Sequence, residues 1–392
     1  MKHFRVLDGP TKRVRIEGSA NRQIRMNIKA ATEKYEAWLG EQMPLLRADL
    51  NLKHLLLCED AFRFLRGTFY RWAQTFPKVC ESLMDAPQVL GVGDLHVENF
   101  GTWRDIEGRL IWGVNDFDEV CRMPYTVDLV RLATSAHFAV EACHFQLSEV
   151  RACKAILDGY IACLKSGGRA FVLAEHHPAL REAAVERLKQ PEVFWKKLYA
   201  FRELRTKVPS SALKGLSKMM PGRGLKTRFA HRIAGTGSLG RRRFLALADW
   251  RGGSIAREAK ELTVSAWRWA RSSRPGNRIW YEDVLEHAVR CPDPFVRVRG
   301  RWIVRRLAPD CSRIELTALP SDHDAFRLLH AMGWETANVH LGSTQAAVLL
   351  EDVLPRESAW LHAAAERMVK STVADWNDWR KFMGPKAVSR TA

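Results

Sequence analysis

The sequence predicts an α+β protein of two lobes: a helical part first, a β-rich part later, and helices again at the end. Three observations predict it. Apolar residues recur at i, i+3 and i+4 over 30–85, 126–167, 177–205 and 320–382, the spacing of amphipathic helices. Short alternating runs bounded by turn residues fall at 87–120, 229–262 and 295–307, the pattern of strands. The 392 residues, 46% hydrophobic, are enough for a large core and suit two lobes. The divisions follow from composition: a basic arm over 1–30, a helical lobe over 31–220, a β-rich lobe over 221–315, and C-terminal helices over 316–392.

In order along the chain, ATEKYEAWLGEQM and EDAFRFLRGTFYRWAQTF read as helices. PQVLGVGD and RLIWGVNDF read as strands that each end in a polar turn. VDLVRLATSAHFAVEA and SEVRACKAILDGYIACL return to helical spacing. Residues 206–225, rich in Ser, Lys, Gly and Pro, read as a linker or loop. The stretch from Phe229 to Leu262 predicts a hairpin turning at Arg251-Gly252-Gly253. A helix is expected around 279–290, then the strand-like FVRVRGRWIVRRL.

The bulk numbers narrow the classes. No apolar h-region follows the first charged residues, and no run reaches bilayer-spanning length, so a cytoplasmic protein without a membrane span is expected. The eight cysteines include no CxxC pair and read as reduced core thiols rather than disulfides or a zinc site. Net charge is +18, from 62 Lys and Arg against 44 Asp and Glu. That balance suits an anionic partner or arginines spread over solvated faces, and both readings stand. The densest basic stretch, 196–243, lacks the aromatic interleaving of a single-strand platform, so charge alone does not establish nucleic-acid binding. Nothing in the sequence sets the oligomeric state.

Chemistry concentrates in GVGDLHVENFGTWRDIEGRLIWGVNDFDEV, residues 91–120. Asp94 and Asn99 share one turn after a strand; Asp116 and Asp118 follow a second strand. An Asp can orient a hydroxyl or take its proton, while an Asn carbonyl and a further Asp can hold Mg²⁺. The pattern is what phosphoryl transfer needs: a positioned hydroxyl and clamped phosphate charge. The bland alternative is a set of helix and turn caps, which two clusters at two strand ends make less economical. Gly235-Thr236-Gly237-Ser238-Leu239-Gly240 has the GxGxxG spacing. A strand-like run follows it instead of a helix, so it fits a nucleotide loop between strands better than a dinucleotide fingerprint; a plain hairpin turn is the alternative. Lys260 on the next strand is placed for the phosphates, with Glu282, or Glu286 one turn on, as its ion partner. Arg66 either reaches a phosphate bidentately or pairs with a structural carboxylate.

GDLHVEN followed by NDFDE resembles the catalytic loop and metal-binding Asp of aminoglycoside-phosphotransferase-like kinases. More closely, RFLRG, GDLHVENFG, NDFDE, GTGSLG and AKE resemble an uncharacterised bacterial family, domain of unknown function 2252, from about Leu55 to about Trp376. The resemblance implies a kinase-like two-lobe fold with ATP and Mg²⁺ as cofactors. Asp94 would be catalytic, with His96 bracing its loop. Asn99, Asp116 and Asp118 would be the metal ligands, and Gly235, Gly237, Ser238, Gly240, Lys260, Glu282 and Arg66 the nucleotide-binding set. Asp128 would tie down the catalytic loop. Val92 departs from the His usual in such kinases, and the short step from Asp118 to the next helix leaves no room for an activation loop, which favours a small-molecule acceptor. The glycine loop follows the catalytic loop instead of preceding it, which implies a circular permutation. WIVRRL would enter the hinge, and LLHAMGWETANVHLGS would be the helix that leads into the catalytic loop, so the resemblance implies that the C-terminal helices over 316–392 pack back on the helical lobe. The competing functions are AMP transfer at the same site and a non-catalytic nucleotide-binding or basic nucleic-acid-associated scaffold. A metallophosphoesterase would need a downstream Gly-Asn-His, which the chain lacks.

Overall fold

A computed structural model describes residues 26–141, 147–186, 190–272, 276–314, 316, 319 and 321–384. The basic arm expected over 1–30 lies outside the described residues up to position 25; so does Cys143. Four helices open the chain: α1 (Ile28–Gln42), α2 (Arg47–Leu56), α3 (Ala61–Gly67) and α4 (Phe69–Val79). Asn27 and Asp60 cap the first and third, each side chain accepting from the backbone N–H three residues on.

Four short strands follow: β1 (Gln88–Gly91), β2 (Phe100–Arg104), β3 (Leu110–Val114) and β4 (Cys121–Pro124). β1 pairs antiparallel with β4. β2 pairs with β3, which also pairs with the two-residue β5 (Phe171–Val172). Between them run α5 (Tyr125–Glu141) and α6 (Glu149–Ser166). Every residue of α5 from Tyr125 to Val140 is buried, so this helix is apolar nearly all round and forms the axis of the main core. The charged exceptions, Asp128 and Arg131, both serve the site.

Helices α7 (Leu173–His176), α8 (Pro178–Glu186), α9 (Pro191–Tyr199) and α10 (Ser210–Met219) lead to β6 (Arg228–His231), β7 (Arg243–Trp250) and β8 (Gly253–Glu261). After α11 (Ala266–Trp269) and α12 (Tyr281–His287) come β9 (Val296–Arg299) and β10 (Trp302–Leu307). These five strands form one antiparallel sheet in the order β6-β7-β8-β10-β9. The β7–β8 hairpin turns where expected, with Arg251 and Gly252 both at positive φ (49° and 86°).

Residues 206–225 are not the linker their composition suggests. They contain α10, whose Ala212 and Leu216 pack on Phe244, Ala246, Ala259 and Val304 of the sheet. Gly215 lets the helix close in: a Cβ there would lie 2.9 Å from a Val304 methyl. Ser and Gly mark close packing here. On the opposite sheet face, Leu198 of α9 packs against Leu245, Leu247 and Leu307.

The chain ends in α13 (Asp322–Leu341), α14 (Ala346–Val353) and α15 (Trp360–Met383), which return to pack on α5 and α6. α6 and α13 cross through two glycines. A Cβ on Gly159 would lie 1.9 Å from the His330 carbonyl, and one on Gly333 1.9 Å from that of Ile156. The architecture is thus α+β in the order the sequence predicts. No helix among the described residues is long and apolar enough to cross a membrane.

Candidate functional site

The first acidic turn is held from below by α5. Asp128, fully buried in the first turn of that helix, accepts from Val92 N at 2.6 Å and Gly93 N at 2.8 Å. His340 near the end of α13 donates to the same carboxylate at 2.9 Å. Gly93 is at φ +82°, and a Cβ there would lie 2.6 Å from the Glu119 carbonyl. Only glycine lets this turn fold against the second one.

Asp94 leaves this turn with its side chain 21% exposed. Its Oδ1 accepts from Arg131, whose Nε is 3.1 Å away. Arg131 is wholly buried between the rings of Phe69 and Trp72, each centred 4.9 Å away, and also donates to Leu65 O at 2.8 Å. Burial pushes the Asp94 carboxyl up to about 7, even against the pull of Arg131. His96 is buried edge-on to Phe62, and its Nδ1 accepts from Glu98 N at 3.2 Å. Burial, with Arg66 and Arg131 nearby, holds its pKa well below the ordinary value. A neutral imidazole tied into its own turn matches a bracing position. Asn99 Oδ1 accepts from His96 N at 3.1 Å, and Asn99 O accepts from Asn115 N at 3.0 Å, joining the two turns.

The second turn is organised by Lys260. Its Nζ lies 3.1 Å from Asp116 Oδ1, 3.2 Å from Asp116 Oδ2 and 2.7 Å from Asp118 Oδ1. Burial alone would raise both acids, but Lys260 and Arg305 pull Asp116 well below the usual range. Asp118, facing Asp116, is pushed up to about 6 by burial and that neighbour. Asp116 is the most open of these acids, at 37% exposed.

The 235–240 stretch lies between the paired strands β6 and β7, as the strand–glycine–strand reading expects. Thr236–Ser238 form one 3₁₀ turn against Arg66 and Asp94. A Cβ on Gly237 would lie 2.9 Å from Arg66 O and 3.4 Å from Asp94 Oδ2. Gly235, Gly237 and Ser238 line the cleft with Asp94, Asn99 and Asp116. Gly240 does not line it: at φ +96° it packs on Leu50 of α2.

Two sequence expectations need correction or resolution. Glu282 does not pair with Lys260. Tyr281 and Val284 turn inward from α12, leaving Glu282 and Glu286 exposed, while Lys260 faces the 116–118 turn. Arg66 pairs with a carboxylate, Glu98 at 2.7 Å, while lining the same cleft; its buried Nε has no partner. Sequence reasoning also missed Arg131, Lys53 and Arg241. Arg131 had a signal, a lone cation in an apolar helix. Lys53, which donates to Gly237 O at 3.3 Å, and Arg241, 3.1 Å from Glu119, had none, because their partners are far off in sequence.

The cleft continues into a cavity of about 770 Å³, in the size range of small-molecule sites. Asn115, Asp116, Gly235 and Arg313 line both. The cavity lies between the five-stranded sheet and β2, with Trp103, Ile233, Phe194 and Leu307 among its apolar walls. Among the described residues no group of three or more His, Cys, Asp or Glu is arranged to hold a metal ion. Magnesium needs less from a protein: one or two carboxylates, with water and phosphate oxygens completing the shell. Asp116, Asp118 and Asn99, hard oxygen donors on one cleft, fit that demand.

Fold and site together describe an α+β protein with a polar, acid-lined cleft opening into a larger cavity. Residues 45–229, just under half of the chain, match the model of a family described as an uncharacterized protein conserved in bacteria (DUF2252). RFLRG, GDLHVENFG and NDFDE fall inside that span, so the family resemblance read from them is borne out there; GTGSLG and AKE lie beyond it. Searches of curated proteins and of solved structures each returned no match.

Proposed function

We propose that this protein is an ATP- and Mg²⁺-dependent phosphotransferase with a kinase-like, circularly permuted arrangement, acting on a hydroxyl of a small molecule. One observation carries the reading. Segments far apart in sequence, at 94–99, 116–118 and 235–238, converge on one cleft beside a ligand-sized cavity, with Lys260 buried behind Asp116 and Asp118. In this reading the nucleotide lies in the large cavity with its phosphates toward Asp116, under the 235–238 loop. Asp116 and Asn99, with Asp118 beside them, would hold magnesium, which neutralises phosphate charge. Asp94 orients the acceptor hydroxyl; a carboxyl raised to about 7 is well matched to proton transfer near neutrality. The hydroxyl oxygen bonds to the γ-phosphorus, the bond to the bridging oxygen breaks, ADP leaves, and the hydroxyl proton passes to Asp94.

The test is titration calorimetry with MgATP, paired with ATP consumption over a panel of hydroxylated metabolites. Asp116→Ala should weaken MgATP binding by about tenfold or more, a loss of about 1.4 kcal/mol. Asp94→Ala should bind MgATP like the unaltered protein and consume none. An Asp116→Ala variant that binds MgATP normally would overturn the assignment.

A further inference from the structure

The large cavity has a floor whose charges do not balance. Glu258 and Lys260, two residues apart on β8, point to the same sheet face. Glu258 is fully buried. Its Oε1 accepts from Arg305 Nε of β10 at 2.9 Å, and its Oε2 takes Arg243 Nη1 of β7 at 3.3 Å. Arg232, just after β6, donates to Oε2 as well. Three guanidinium groups therefore share one carboxylate, leaving two positive charges in surplus at this hub. Burial alone would raise the Glu258 pKa, yet the three arginines hold it well below the usual range.

Beside the hub, Lys260 faces both Asp116 and Asp118, which leaves one negative charge in excess there, and Asp116 also attracts Arg305; across the two groups one positive charge stays in surplus. The surplus faces the cavity. Arg232 and Arg305 are 21% and 22% exposed, and both line the cavity. Arg243 is 6% exposed, and its Nη2 donates to Ser238 Oγ at 2.5 Å, joining the hub to the glycine loop. Around the same wall, Arg306 meets Asp310 and Arg313 meets Glu98. Arg290 lies against the Trp103 and Phe117 rings with a buried Nη1 that has no partner. Lys197 completes the cations of the wall, where Asp116 and Asp293 are the acids. Buried charge without a counter-charge is costly, and a ligand carrying negative charge removes that cost.

We infer that Glu258 is a positioning residue that aims Arg232 and Arg305 into the cavity as a clamp for a polyphosphate chain, while Arg243 pins the 235–238 loop over it. The inference rests on the reading of the cavity as a nucleotide site, and it sharpens that reading. Glu258 takes the organising position expected of Glu282, but it organises arginines where Glu282 was to organise Lys260. The forked guanidinium suits phosphate oxygens bidentately, so the clamp selects triphosphate over monophosphate.

The experiment measures binding of ATP, AMP and inorganic tripolyphosphate to the full chain, for the unaltered protein and for Glu258→Gln, Arg232→Gln, Arg305→Gln and Arg305→Lys. The unaltered protein should bind ATP at least about tenfold tighter than AMP, one charge-assisted contact's worth. Each variant should lose about tenfold or more toward ATP and tripolyphosphate while AMP binding stays within about twofold. Melting temperatures without ligand identify any variant that is merely unfolded, and the ATP-to-AMP ratio of the unaltered protein needs no variant. A ratio near one, or folded variants that keep the ratio, overturns the clamp and leaves the nucleotide reading intact. Tripolyphosphate binding that depends on Arg232 and Arg305, with no binding of ATP, keeps the clamp and sinks the nucleotide reading. Binding of neither ATP nor tripolyphosphate sinks both.

Discussion

Asp128 holds the turn that presents Asp94, and removing its charge should be expensive. Its carboxylate takes three donors: Val92 N at 2.6 Å and His340 Nε2 at 2.9 Å on Oδ2, and Gly93 N at 2.8 Å on Oδ1. Asn in its place keeps one acceptor oxygen and turns an N–H toward a third donor. With that oxygen on the Val92 side, Gly93 N loses its partner. The turn is packed against Glu119, so water does not reach it to substitute. One buried, unpaired N–H costs about 1–3 kcal/mol, and the two remaining bonds weaken because the acceptor is no longer charged. Asp128→Asn should therefore lose about 2–4 kcal/mol, and Asp128→Ala, which strands all three donors, about 4–6 kcal/mol. Urea unfolding with unchanged m measures the loss, and native-state hydrogen exchange should show the Val92 and Gly93 amides losing protection first. A loss under about 1 kcal/mol with both amides still protected would refute the reasoning.

Two further outcomes follow from the same geometry. Asp94 accepts a proton only when ionised, and burial places its pKa at about 7; ATP consumption should fall about tenfold per pH unit below 7 and level off above it. A flat profile between about pH 5 and 9 would remove Asp94 from the proton-transfer step. Gly159→Ala drives a methyl to 1.9 Å from the His330 carbonyl and should cost about 3 kcal/mol or more in thermal or urea unfolding. Gly253→Ala, with nothing near its Cβ position, should stay within about 0.5 kcal/mol and serves as the control.

What was legible in the residues was local. Period and turn chemistry placed α5, α6, α13 and the β7–β8 hairpin, because helix faces and tight turns are written in residues a few positions apart. The two acidic turns were legible for the same reason: each is a contiguous run at a strand end. Asp128 was foreseen through the family resemblance alone, since the turn it holds lies about 35 residues away along the chain. The misreading of 206–225 has the opposite cause. Ser and Gly weaken an isolated helix, and α10 exists because the sheet covers its Ala212–Leu216 face.

Partnership was not legible. A lysine on a strand can face either side of a sheet, and Lys260 meets Asp116 and Asp118 only because β8 is sandwiched so that Glu258 and Lys260 turn toward the cavity. Glu282 looked equally eligible along the chain, yet α12 buries Tyr281 and Val284 and turns it to solvent. Arg131 became the neighbour of Asp94, and three arginines gathered on Glu258, through contacts between strands and helices that no spacing encodes. Local steric and periodic rules set which elements form. Which charges meet depends on how those elements pack, since Coulomb energy follows distance in space and burial, not separation along the chain.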